Sequence, residues 1–99
     1  MIYVIFEVDK EHIGKINTLL KDDLVSRQSI LSRDAHSLEM KGDVTYLKIE
    51  GSTDGVKRAK ELAKELGFKK LNTKQAKEIN EKIEKQEDSA ATGMGMIFD

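Results

Sequence analysis

Ile2-Tyr3-Val4-Ile5-Phe6-Glu7-Val8-Asp9 is the stretch that decides the fold. Ile2, Val4, Phe6 and Val8 fall on one side of an extended chain and Tyr3, Ile5 and Glu7 on the other, the period-two pattern of a strand. Asp9 stands where a helix N-cap belongs. Ile13, Ile16, Leu19 and Leu20 follow at helical spacing, so residues 10–21 read as an amphipathic helix. A strand running straight into a capped helix makes one β-α unit.

The same unit recurs downstream. Residues 29–40 are β-compatible, Lys41-Gly42-Asp43 makes a turn, and Val44-Thr45-Tyr46-Leu47-Lys48-Ile49-Glu50 reads as a third strand. Gly51-Ser52-Thr53-Asp54 supplies capping side chains for a helix striped with Val56, Ala59, Leu62, Ala63 and Leu66 and ended by Gly67. Phe68 to Leu71 is a short fourth strand at an edge. The order is the split βαββαβ arrangement of the ferredoxin-like fold, which predicts an α+β, two-layer sandwich with the strands at 2–8 and 44–50 central and both helices on one face. An additional helix over 73–87 carries only Ala76, Ile79 and Ile83 as a stripe, with Glu78–Lys82 and Glu81–Lys85 spaced for i,i+4 pairing. Residues 1–87 are expected to form a single domain, core 1–71 plus that helix, and 88–99 a flexible, disordered tail.

A chain of 99 residues suits one core, with roughly 65% of the unfolded surface buried on folding. Hydrophobic residues at 38% and charged ones at 35% fit a core inside a heavily charged surface. Without cysteine there are no disulfides, thiolate metal sites or cysteine nucleophiles. The start of the chain lacks a basic leader and no apolar run approaches a membrane span, so the reading is cytoplasmic. The lack of Cys, Trp and Pro alongside many Lys and Glu suits a thermophilic prokaryote. A net charge of -1 gives no nucleic-acid footprint. Lys57, Arg58, Lys60, Lys64, Lys69 and Lys70 nevertheless outnumber Glu61 and Glu65 locally, as a solvated helix face or an anion- or partner-binding patch.

The proposed sheet sends Ile2, Val4, Phe6, Leu47 and Ile49 inward under the helices and leaves Tyr3, Ile5, Val44 and Tyr46 on the opposite face. That is more apolar surface than a monomer leaves bare. The expected cover is the helix bearing Ile79 and Ile83, or a second subunit in a homodimer through the open sheet face. RNA-recognition domains stack bases on such central aromatics. Here Lys41-Gly42 is followed by Asp43, Thr45 and Lys48 where their signature needs aromatics, so nucleic acid is disfavoured. Met94, Met96, Ile97 and Phe98 are candidate anchors, onto a partner or back beside Tyr3 and Tyr46, unless the tail is plainly disordered.

The corner Asp9-Lys10-Glu11-His12-Ile13-Gly14-Lys15-Ile16 is the second candidate. A glycine inside a first helical turn costs about 1 kcal/mol relative to alanine and is often kept because something approaches the backbone. With Asp9, Gly14, Ile16, Leu19 and Leu20 so placed, residues 2–71 weakly resemble ACT domains, small ligand-sensing regulatory modules of the same βαββαβ order. In this chain the glycine comes later after the aspartate, and the typical proline is absent. The resemblance implies a small metabolite held near Asp9, His12, Ile13 and Gly14 and assembly of domains through sheets or helices; the residues alone equally give a capped helix that tolerates one glycine.

Three further chemistries find little support in the residues. Asp9, His12, Asp34 and His36 are the candidate groups of a small enzyme, and with Glu39 of a mixed N/O metal site, but the histidine spacing matches no metal motif, so no metal or cofactor is expected. Ser26, Ser29, Ser32 and Ser37 lack a nucleophile elbow. Gly51-Ser52-Thr53-Asp54-Gly55 can present amides to a phosphate, but it lacks a P-loop lysine and reads better as a cap. The sequence therefore predicts a non-enzymatic regulatory, ligand-sensing or protein-interaction module. The alternatives are an RNA-binding domain using Tyr3 and Tyr46, or a small enzyme on the Asp/His set.

Overall fold

The computed structural model describes residues 2–98, with side chains described for 2–87. Strand β1 (Ile2–Asp9) passes into a tight 3-10 turn (Lys10–Lys15) and two short helices, α1 (Ile16–Leu20) and α2 (Asp23–Ser26). Strand β2 (Ser29–Asp34), a second 3-10 turn (His36–Leu38) and strand β3 (Val44–Gly51) follow. Helix α3 (Thr53–Leu66), strand β4 (Lys69–Lys70) and helix α4 (Thr73–Phe98) complete the chain. The result is an α+β fold with one antiparallel sheet ordered β2-β3-β1-β4, so β1 and β3 are central.

The two centre strands pair along their whole length, from Ile2 opposite Gly51 to Asp9 opposite Val44. Alternation then sorts their side chains. Val4, Phe6, Val8, Leu47 and Ile49 face α3, where Val56, Ala59 and Ala63 close over them with Leu19 and Val25. On the other face Ile5 and Tyr46 meet Ala35, Leu38, Leu71, Ile79 and Ile83. The sheet and α1–α3 make two layers, and α4 packs on the remaining face.

Several elements differ from expectation. The single helix of 10–21 is instead a 3-10 turn and a five-residue helix, and α2 adds a turn that the pattern does not announce. Asp22 makes α2 possible by accepting the Val25 N–H at 3.1 Å, which turns Val25 into the core. The second strand stops at Asp34 rather than running to residue 40. There Asp34 Oδ1 takes the Ser37 N–H at 2.8 Å, a local bond that competes with the ladder and starts a turn. Glu39 closes that turn in the left-handed region at φ 60. Ile2, expected inward, is 42% exposed at the sheet's end.

The later elements begin and end on identifiable chemistry. Ser52 Oγ caps α3 by accepting the Gly55 N–H at 3.1 Å, and Gly67 ends it at φ +83. Asn72 and Gln75 cap the start of α4 reciprocally, at 2.8 and 3.4 Å. The α4 backbone continues as helix past Glu87, through the segment read as a disordered tail. No proline interrupts it, and Ala90 and Ala91 favour helix. The side chains of Met94, Met96, Ile97 and Phe98, and so their proposed contacts, lie outside the described residues. No helix among the described residues is long and apolar enough to cross a membrane.

Candidate functional site

At the β1 corner, Asp9 Oδ1 accepts the backbone N–H of His12 at 3.0 Å and also bonds the His12 ring through Nδ1. The imidazole is thereby held against the end of α3, so close that a Cβ on Gly67 would sit 3.3 Å from His12 Nε2. The His12 side-chain hydrogen bond is also the main reason that the Asp9 carboxyl lies below the ordinary carboxylate range. Ile13 is 41% exposed, and a Cβ at Gly14 would meet nothing within 4 Å. The close approach expected at that glycine is not made by any other part of the described chain.

Asp34 and His36 do not join this corner. Asp9 lies opposite Val44 and Asp34 opposite Thr45, on the two flanks of β3, which puts their backbones about 10 Å apart by two strand spacings. His36 opens the turn after β2 instead of sharing a strand face with Asp34. The backbone N–H of Ser37, followed by its side chain, holds the Asp34 carboxyl below its usual range. Both aspartates are thus committed to local hydrogen bonds in their charged form, the wrong direction for a general acid or base at neutral pH. Among the described residues no group of three or more His, Cys, Asp or Glu could hold a metal ion.

The loop at the start of α3 is filled by Gln28. Its Oε1 accepts the Ser52 N–H at 3.0 Å, and its Nε2 donates to Leu24 O at 2.9 Å. The amide lies flat against two glycines: a Cβ on Gly51 would fall 2.0 Å from Gln28 Oε1, and one on Gly55 2.1 Å from Cδ. Those glycines make room for a side chain of this protein where a phosphate was considered. Sequence reasoning missed this, because Gln28 is distant in the chain and carries no motif.

The sheet face carrying Tyr3, Ile5, Val44 and Tyr46 is covered by α4. Ile5 is fully buried, Tyr46 is 5% exposed, and Ile79 and Ile83 lie against them. Burial, and then the charge of Glu7, push the Tyr46 phenol above its ordinary pKa. Gln86 fastens the helix by accepting from Arg33 Nε at 2.9 Å and donating to Ser37 O at 2.6 Å. The predicted Glu78–Lys82 and Glu81–Lys85 pairs are not among the ion pairs of the described residues. Lys82 and Lys85 instead line a cleft of about 250 Å³ with Ser37, Leu38, Glu39 and Gln86.

A different surface stays open. β4 pairs with β1 only at Phe6 and Glu7, extended by the Leu71 N–H to Ile5 O bond at 3.0 Å. Because Ile5 turns its carbonyl to that side, strand alternation turns the N–H and C=O of Tyr3 the same way, beyond the reach of β4. Beside this edge lies a cleft of about 250 Å³ bounded by Tyr3, Val4, Lys60, Lys70, Leu71 and Thr73. Lys48 Nζ stands 5.2 Å from the centre of the Tyr3 ring.

The basic run from Lys57 to Lys70 divides in two. Arg58 pairs with Asp22 at 3.1 Å and Glu61 at 3.7 Å, and Lys69 with Glu7 at 3.6 Å. Lys57, Lys60, Lys64 and Lys70 have no carboxylate within ion-pair distance among the described residues. The first three share one flank of α3 by their spacing. Only the short β4 hinted at this edge, since a strand of two residues cannot pair a neighbour of eight.

Compared with protein families, curated proteins and solved structures, the chain matches none.

Proposed function

We propose that this chain is a non-enzymatic interaction module of ferredoxin-like layout that works by binding along the outer edge of β1. The layout is supported by the strand order, which read from the other side is β4-β1-β3-β2, and by α3 crossing between β3 and β4 as the split βαββαβ arrangement requires. The ACT-like character suggested by residues 2–71 belongs to the same proposal, as a regulatory module acting through contacts rather than catalysis.

The observation that carries the function is the unpaired stretch of β1 at Tyr3. Exposed strand edges template the addition of another strand unless they are blunted, and main-chain hydrogen bonds then supply much of the affinity. The sheet face considered for a second copy is already packed by α4, whereas the edge is open and has a cleft beside it. The aspartates are engaged in caps, which favours binding over acid–base chemistry.

A photo-crosslinking amino acid placed at Lys70, and separately at Ile13, tests the reading in cells. Adducts from position 70 that disappear with Tyr3→Pro, which removes the edge donor, are the expected result. Adducts from position 13 alone would move the binding site to the Asp9–His12 corner and end the edge reading.

A further inference from the structure

We infer that the edge of β1 takes an acidic extended segment of a partner protein, a statement that rests on the edge-binding reading and adds the chemistry of what binds. Two lysines, Lys60 and Lys70, line the cleft, and no carboxylate lines it among the described residues. Lys57 and Lys64 continue the positive flank along α3, also without partners among the described residues. Positive potential concentrated beside unpaired main-chain groups favours a strand that carries carboxylates.

The same charges argue against a second copy of this chain. Edge-to-edge pairing about a two-fold axis would bring the Lys60 and Lys70 sets of both copies together, and like charges facing across paired strands are unfavourable. Edge lysines are a known defence against such self-pairing. An acidic segment turns that defence into attraction. Its backbone would pair with the N–H and C=O of Tyr3. Side chains alternate along a strand, so carboxylates on the α3 side of the segment would reach Lys60 and Lys70 while the intervening apolar residues fall on the α4 side, beside Tyr3 and Ala76.

The test uses the full chain, labelled with nitrogen-15, titrated with a capped pentapeptide alternating glutamate with valine and with its glutamine–valine twin. The expected result is shifts confined to the amides of Tyr3, Val4, Lys70 and Leu71, with the glutamate peptide binding at least roughly tenfold more tightly. That preference should fall away in Lys60→Glu/Lys70→Glu and weaken in high salt. Equal binding of both peptides at these amides would leave the edge reading standing and overturn the acidic one. No shift with either peptide would remove both. Shifts along Lys57 and Lys64 with Tyr3 unmoved would reduce the effect to surface charge and overturn the inference. It would equally be overturned by shifts of the same amides on concentrating the chain without peptide, or by tighter binding of a short RNA there.

Discussion

Replacing Gly55 with alanine tests whether Gln28 is built into the start of α3. The new Cβ would lie 2.1 Å from Gln28 Cδ and 2.3 Å from Nε2, so the amide must swing out. Its hydrogen bonds to the Ser52 N–H and the Leu24 carbonyl go with it, each worth roughly 0.5–1.5 kcal/mol, together with the longer bond at 3.4 Å from the Ser52 hydroxyl. Alanine returns up to about 1 kcal/mol of helix propensity. The balance is a loss of about 1 kcal/mol, or roughly 4–8 °C in Tm for a chain of this size. In a Gln28→Ala background the bonds are already gone and the space is vacant. There Gly55→Ala should stabilise by about 0.5–1 kcal/mol. Urea unfolding of the four chains in this double-mutant cycle reads both signs. The same sign in both backgrounds would refute the reasoning, since steric coupling between the two positions predicts a reversal.

Ile83→Ala should destabilise by about 2–5 kcal/mol in urea unfolding, because Ile83, on the sheet-facing side of α4, is 1% exposed; a loss under about 1 kcal/mol would mean that the helix is not seated there. Asp9, Asp22 and Asp34 all have folded-state pKa values below their ordinary one, so their contribution is present above about pH 4 and is lost as pH falls through the lowered values. Asp34→Asn, which keeps an acceptor for Ser37 without the charge, should flatten the fall in stability on acidification, read by thermal melts from neutral pH downward. The raised Tyr46 phenol has the opposite sense: its contribution is present below about pH 10 and is lost as pH rises through the folded value. Tyr46→Phe should remove the high-pH component of the ultraviolet tyrosine titration and lessen the alkaline loss of stability.

The corner, the caps and the edge were legible to different degrees. Asp9 as the cap of the first turn, Ser52 and Gly67 as the limits of α3, and Asn72 before α4 could all be read locally, because each bond spans three or four residues. Joining Asp9 to His12 could also be read, at a separation of one turn. Joining them to Asp34 and His36 could not. Asp34 ends its strand by bonding Ser37, and no spacing rule says whether an aspartate will extend a ladder or turn the chain.

The sequence by itself determined the alternation of β1 and β3, the order of the four strands and the place of α3 and the start of α4 among them, and hence which residues of those elements share a face, because a period of two or 3.6 is written in neighbouring positions. Tertiary structure decided what meets those faces. Ile5 and Tyr46 became core only because α4 returns across them, Gly51 and Gly55 were spoken for by Gln28, and Lys60 came to stand beside Tyr3 because β4 stops after Lys70. Each is a contact between segments far apart in the chain, set by how whole elements pack, and local pattern carries no record of it.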